Sequence, residues 1–194
     1  MMEVSAAFEV VERYRGDAVV IPCQTARQPW FDVSQRPELD ILFRGAMGKG
    51  TSLGLGIALG RPDRKVIVFD GDGSLLMNLG SLVTIVGSGV QNLYVFVLEN
   101  GVYAGTGGQP IPNRGGLSFS TIAKGCGFSV AEDFDDLDTF AGRFPELIAQ
   151  PGPVFGTLRT HPIISDYNPD EAMPHLFKSC ADVRQALADA PEEG

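Results

Sequence analysis

The sequence predicts an α/β fold, an open and mostly parallel sheet of five or six strands with helices on both faces. Three observations predict it. Lys65-Val66-Ile67-Val68-Phe69-Asp70 and Asn92-Leu93-Tyr94-Val95-Phe96-Val97-Leu98 are near-continuous apolar runs of strand length, the pattern of strands buried on both faces. A helix-length segment near residues 75–87 separates them, so the pair reads as a βαβ crossover. On either side, short apolar runs keep alternating with helical stretches, and no segment is repeated.

In chain order, residues 2–14 are helical by pattern and lead into a short β-branched run at 17–22 that reads as a buried strand. Residues 23–37, with Gln24, Gln28, Pro29 and Pro37, read as a loop. A second apolar run, Ile41-Leu42-Phe43, meets the glycine-rich segment Gly45-Ala46-Met47-Gly48-Lys49-Gly50. Leu53, Leu55, Ile57, Ala58 and Leu59 then mark a buried helix that ends before Pro62. After the central crossover, residues 100–116 carry six glycines and two prolines with no apolar period. They form a long loop, and long loops inside compact domains are usually functional. A helix near 118–125, a strand near 128–130, a helix near 136–149, a strand near 153–159 and a helix near 174–188 complete the alternation, followed by a frayed acidic tail at 190–194. The 194 residues are expected to form one domain.

Composition narrows the function. With 44 % apolar and 20 % charged residues the chain must fold, which excludes wholesale disorder. Glycine is the outlier at 24 of 194 residues, well above the usual ~7 %, and points to sharp turns or close backbone approaches. A formal charge of −9 and a pI near 4.6 argue against a nucleic-acid or anionic-membrane surface. An anionic ligand would need backbone N–H groups, a metal or a partner. No apolar run reaches ~18 residues, and the first residues lack a basic region followed by an apolar one, so the protein reads as cytoplasmic. Cys23, Cys126 and Cys180 are too widely spaced for a disulfide framework or a zinc site and are expected as reduced thiols.

In such a sheet, ligands bind at the carboxyl ends of the strands, where helix N-termini favour anions. Two loops lie there. Residues 45–52 nearly match the nucleotide-binding pattern GxxxxGK[ST], but Thr51 stands at the lysine position. Gly71-Asp72-Gly73-Ser74-Leu75-Leu76 begins like GxGxxG, but Leu76 replaces the third glycine and Asp72 would repel a bare phosphate. Asp72 makes sense with a divalent cation between it and the phosphate, and magnesium takes one or two protein oxygens with the rest from phosphate and water. A right-handed crossover puts Asp72 and Asn100 side by side at one sheet edge. The Val102 carbonyl is a third candidate ligand, and the N–H groups of Gly73 and Ser74 would face a diphosphate. Taken singly, Asp72 is also an ordinary helix cap and Met47 an ordinary core filler; their joint occurrence with Asn100 favours a site.

Gly71-Asp72-Gly73-Ser74, then 25 residues, then Asn100 resembles the magnesium-diphosphate motif of thiamine-diphosphate-dependent enzymes. Gly45-Ala46-Met47-Gly48 resembles the GxMG loop of the same family's diphosphate-binding domain. Residues 54–66 and 100–109 are most similar to the branch that decarboxylates sulfopyruvate and phosphonopyruvate, and the resemblance extends over about residues 16–160. It implies thiamine diphosphate and Mg2+ as cofactors, with the metal held by Asp72, Asn100 and Val102. It places Gly45, Ala46, Met47, Gly71, Gly73, Ser74, Val102 and Tyr103 at the cofactor, Met47 supporting its bent shape. Gln24 is expected to face the pyrimidine end, while Gln109 and Arg114 either meet an anionic substrate group or stay solvated. His161 and His175 are expected in structural or surface roles.

In that family a glutamate on a separate pyrimidine-binding domain activates the cofactor, and that domain comes from a neighbouring chain. Only 16 residues precede the first expected strand here, and Glu3, Glu9 and Glu12 have no motif around them. The resemblance therefore implies the smaller, β-type subunit of a split 2-oxo acid decarboxylase, active only with a pyrimidine-binding α subunit in an α2β2 or larger assembly. No catalytic acid or base is assigned to this chain. Two alternatives stay open: a split carboligase of the acetolactate-synthase type, and a non-catalytic cofactor-holding subunit, which intact Asp72 and Asn100 disfavour.

Overall fold

The computed structural model describes residues 1–164 together with Gln185. The expected helix at 174–188 apart from Gln185, the tail, His175 and Cys180 lie outside the described residues. The chain runs α1 (Val4–Tyr14), β1 (Val19–Pro22), α2 (Arg27–Val33), α3 (Gly50–Gly60), β2 (Val66–Gly71), α4 (Asp72–Leu76), α5 (Gly80–Gly87) and β3 (Leu93–Glu99). It continues with β4 (Val102–Tyr103), β5 (Gln109–Pro110), α6 (Phe119–Cys126), β6 (Val130–Phe134), α7 (Leu137–Ala149) and β7 (Val154–Arg159).

Five strands form one parallel sheet in the order β1-β2-β3-β7-β6, the lower of the two expected counts. Successive side chains of a strand point to opposite faces, and the core divides accordingly. Val20, Ile67, Phe69, Tyr94, Phe96 and Leu98 join α1, α2 and α7 in one apolar cluster. Val19, Ile21, Val66, Val68, Val95 and Val97 join α3, α5 and α6 in the other. Both faces of β2 and β3 are thus covered, which is why their sequences read as unbroken apolar runs. Local signals close the outer helices. Asp136 caps α7 by accepting from the Thr139 N–H at 2.9 Å, and α6 stops at Gly127, whose φ of 105° ends it in the left-handed region.

Several expected boundaries move. Residues 23–37 hold α2 rather than a loop, because Trp30 is fully buried between Phe8 and Phe69, each 5.5 Å away between ring centres. Pro29 falls in the first turn, where a missing N–H costs nothing. The helix expected at 75–87 is two helices, α4 and α5, parted by a turn at 77–79. The strand expected at 128–130 is β6, whose inward residues Ala131 and Phe134 lie further along. The loop at 100–116 contains the β4–β5 hairpin, and Ile41-Leu42-Phe43 adds only single bridges beside β1, at Asp40 and Phe43.

This segment is anchored from below. Arg15, itself buried, pairs with Asp40 at 2.8 Å and lies 5.1 Å over the Trp30 ring. The chain leaving Asp40 is thereby held beside β1 as it climbs to the carboxyl edge of the sheet. Three loops converge at that edge, after β1, β2 and β3.

Candidate functional site

The register of β2 with β3 pairs Gly71 with Leu98, so the residues following each strand leave the sheet at the same level. Asp72 is 1 % exposed at the start of α4 and acts as the hub. Its Oδ1 accepts from the Gly73 N–H at 2.7 Å, and its Oδ2 accepts from the N–H groups of Asn100 at 3.0 Å and Gly101 at 2.6 Å. The Asn100 Oδ1 in turn accepts from the Val102 N–H at 3.0 Å, which shapes the turn after β3. Gly101 makes that turn with φ at 76°, a conformation costly for any residue with a side chain. Burial pushes the Asp72 carboxyl above its ordinary range against these three donors, and Glu99 pushes the same way.

The loop at 45–48 closes over this hub. The Gly48 N–H donates to Ser74 Oγ at 2.8 Å, while Gln24 Nε2 reaches the Gly45 carbonyl at 3.4 Å from the other side. Gln24 holds a positive φ of 50°, a strained state for a residue with a side chain, in the turn after β1. Between the loops lies a cavity whose walls include Gln24, Met47, Asp72, Ser74, Asn100 and Tyr103. The Tyr103 ring lies directly on Gly73, where a Cβ would stand 2.5 Å from its Cδ1, so only glycine fits there.

Of the residues singled out in the sequence, Gln24, Met47, Gly71, Asp72, Gly73, Ser74, Asn100, Val102 and Tyr103 meet at this one cavity. Gly45 and Ala46 belong to the loop without lining it, and Ala46 is exposed. The Gly73 N–H and the Ser74 hydroxyl are engaged with Asp72 and Gly48, which leaves the Ser74 backbone N–H of the two expected. Gln109 and Arg114 are not in the cavity wall. Gln109 turns into its own hairpin, where Nε2 donates to the Thr106 carbonyl at 2.8 Å, and Arg114 packs across Gly101. Thr25, Ala104, Gly105 and Thr106 complete the wall and were not foreseen. For the last three the only signal was the glycine-rich loop around them; for Thr25 there was none.

The donor set discriminates among ligands. Among the described residues no group of three or more His, Cys, Asp or Glu side chains could hold a metal, which leaves out a cage of the zinc type. Magnesium asks less of the protein. A carboxylate offers about four lone-pair sites, and Asp72 spends three on N–H groups, leaving one on Oδ1. Asn100 Oδ1 likewise keeps one site beside the Val102 N–H. A divalent cation here would also reverse the burial penalty on the Asp72 carboxylate. Magnesium with a diphosphate therefore fits these residues. Among the described residues, no helix is long and apolar enough to cross a membrane.

Residues 24–156 match the family model described as thiamine pyrophosphate enzyme, C-terminal TPP binding domain. The sulfopyruvate decarboxylase subunit beta of Methanothermobacter thermautotrophicus is 37 % identical over 150 residues, which cover 75 % of this chain and 76 % of that one. The phosphonopyruvate decarboxylase of Streptomyces viridochromogenes is 39 % identical over 118 residues, 61 % of this chain and 29 % of that protein. The solved thiamine diphosphate-dependent 4-hydroxybenzoylformate decarboxylase of Rhodococcus jostii RHA1 superposes with a TM-score of 0.68 at 22 % identity. That superposition covers 84 % of this chain and 33 % of the larger one, and it shows a shared fold.

Proposed function

The chain belongs to the thiamine pyrophosphate enzyme family through its C-terminal TPP-binding domain, and on that premise we propose that it is the diphosphate-binding subunit of a 2-oxo acid decarboxylase. The observation that carries the reading is the Asp72 hub, which ties the turns after β2 and β3 into one rigid oxygen-bearing wall beneath Met47. Asp72, Asn100 and the Val102 carbonyl would hold Mg2+. Gly71, Gly73 and the Ser74 N–H would receive the diphosphate, with the Tyr103 ring packed on the bare Cα of Gly73 and closing the wall. The loop at 45–48, Gly45 and Ala46 included, would present Met47 to the cofactor's middle, and Gln24 would stand toward the pyrimidine. When bound, thiamine diphosphate supplies the electron sink for breaking the bond to the substrate's carboxylate; the protein supplies orientation and a dry wall. Sulfopyruvate- or phosphonopyruvate-type acids are the substrate class, from the relatives that match.

Among the described residues, those lining the cavity include no histidine, lysine or arginine, and Asp72 is engaged by three backbone N–H groups, so on this reading proton transfer is assigned to another chain. A pyrimidine-binding partner fits this need, and the similar sulfopyruvate decarboxylase chain is itself named a beta subunit. The exterior of the molecule supports a partner too. Neither α3 nor the stretch from Gly73 to Leu98 contains a charged residue, and Leu59, Met77 and Val83 are each more than half exposed there. Exposed apolar, charge-free helix faces mark subunit interfaces. The opposite layer carries the ordinary charges of a solvated face, such as Glu9, Arg13, Arg143 and Glu146.

The test is carbon dioxide release from sulfopyruvate and phosphonopyruvate by the chain assembled with its partner, with thiamine diphosphate and Mg2+ present. Asp72→Ala should lose more than the ~10–100-fold expected for an outer-sphere group. Undiminished release by that variant, or no release from either acid by the wild type, would overturn the reading. Adding an acceptor aldehyde separates decarboxylation from carbon–carbon joining by the product formed.

A further inference from the structure

Gly48 approaches the turn after β2 so closely, and at so positive a φ, that a side chain there would be both strained and crowded. Its φ is 79°, and a Cβ there would lie 3.1 Å from the Cβ atoms of Met77 and Asn78 and 3.2 Å from the Ser74 carbonyl oxygen. Both polar groups of its backbone are taken by side chains of that turn. The Gly48 N–H donates to Ser74 Oγ at 2.8 Å, and Asn78 Nδ2 donates to the Gly48 carbonyl at 2.8 Å. Ser74 and Asn78 are four residues apart, the spacing that brings two side chains to one face of a helical turn. One accepts and the other donates, so together they read a single residue of the neighbouring loop much as a paired strand would. The same Asn78 Nδ2 also reaches Ser52 Oγ at 3.3 Å on the first turn of α3, which fixes the amide's orientation.

We infer that Ser74 and Asn78 form a two-point clamp on Gly48 that sets the height of Met47 over Asp72, making Asn78 a positioning residue for the cofactor. This rests on the reading of the cavity as a thiamine-diphosphate site. Asn78 is not in the cavity wall, and it acts through Gly48 and the residue before it. The loop at 45–48 and the turn at 71–74 come from different βα units. Apart from the clamp, Met47 and Asp72 are held to each other through the sheet, through the Thr51–Ser81 hydroxyl pair at 2.8 Å between α3 and α5, and through the long contact from Gln24 to Gly45. An Asp at position 78 keeps the side chain's size but cannot donate, so it isolates the hydrogen bond from the packing.

Hydrogen exchange of the full chain, without cofactor, tests the clamp. Asn78→Ala and Asn78→Asp should both speed exchange in peptides covering 44–52 by about fivefold to tenfold, the worth of one net hydrogen bond. Peptides covering 93–99 in β3 should keep wild-type rates. Unchanged exchange at 44–52 in either variant overturns the clamp. Equal acceleration at 93–99 overturns it as well, because Asn78 would then serve the whole fold. In the same variants assembled with the partner, affinity for thiamine diphosphate should fall while affinity for inorganic diphosphate with Mg2+ stays within about twofold, and a parallel loss of both would overturn the proposed division of labour. A wild type that binds neither would sink the cofactor reading alone, since the exchange result stands without it.

Discussion

Asp70 and Asp72 stand two residues apart at the end of β2, and burial pushes both carboxyls above the ordinary 3.8. Their surroundings differ. Asp72 is organised by three backbone donors, whereas Asp70 Oδ1 accepts from the Gly71 N–H at 2.9 Å and Oδ2 has no hydrogen-bond partner. Burial accordingly raises Asp70 to about 6, with the nearby Ser74 hydroxyl and the Gly71 N–H opposing it. Because the folded value lies above the unfolded one, the stabilising contribution is fully present below 3.8 and is lost as pH rises through about 6. Asp70→Asn should remove this dependence. Urea unfolding of the cofactor-free chain should show the variant gaining on the wild type between pH 4 and pH 7, by up to ~3 kcal/mol; parallel curves would refute the assignment. Asp72 and Asn100 were legible in the sequence because a parallel βαβ unit fixes where the ends of its strands lie. Gln109 and Arg114, for which the sequence leaves a substrate contact or a solvated loop open, lie outside the cavity wall, held by a local bond to Thr106 and by packing on Gly101 that no spacing rule reveals.

At the scale of elements, α3 shows what its glycines are for. Gly54 faces the sheet, and a Cβ there would stand 2.4 Å from Val68 Cγ2 and 3.3 Å from Leu93 Cδ1. Gly56 faces outward with nothing within 4 Å. Alanine improves helix propensity by about 1 kcal/mol at either position. At Gly54 the overpacking cost of ~1–3 kcal/mol should outweigh it for so close a contact, while at Gly56 only the gain remains. Denaturation midpoints should therefore fall for Gly54→Ala and rise for Gly56→Ala; the same sign for both would show that α3 does not pack as described. The central strands were legible because burial on both faces leaves unbroken apolar runs. The existence of α2 was not, since Gln28 and Pro29 obscure a short helix that is anchored by the buried Trp30 with Ala26, Phe31 and Val33 packed beside it.

Across the described residues, a charged helix layer covers one face of the sheet, a layer whose α3 and α5 carry no charge covers the other, and the cavity lies at the carboxyl edge between them. That arrangement suits a subunit that holds a cofactor for chemistry completed by a partner. The net charge of −9 is consistent with it, because in the proposed site a diphosphate would meet a metal and backbone N–H groups and not a basic surface. The most direct measurement is a calorimetric titration of thiamine diphosphate into the wild-type chain and Asp72→Ala, each assembled with its partner, with Mg2+ supplied and then chelated. Saturable, Mg2+-dependent binding to the wild type that vanishes in Asp72→Ala is the predicted result. Equal binding by both proteins, or binding indifferent to Mg2+, would contradict the account.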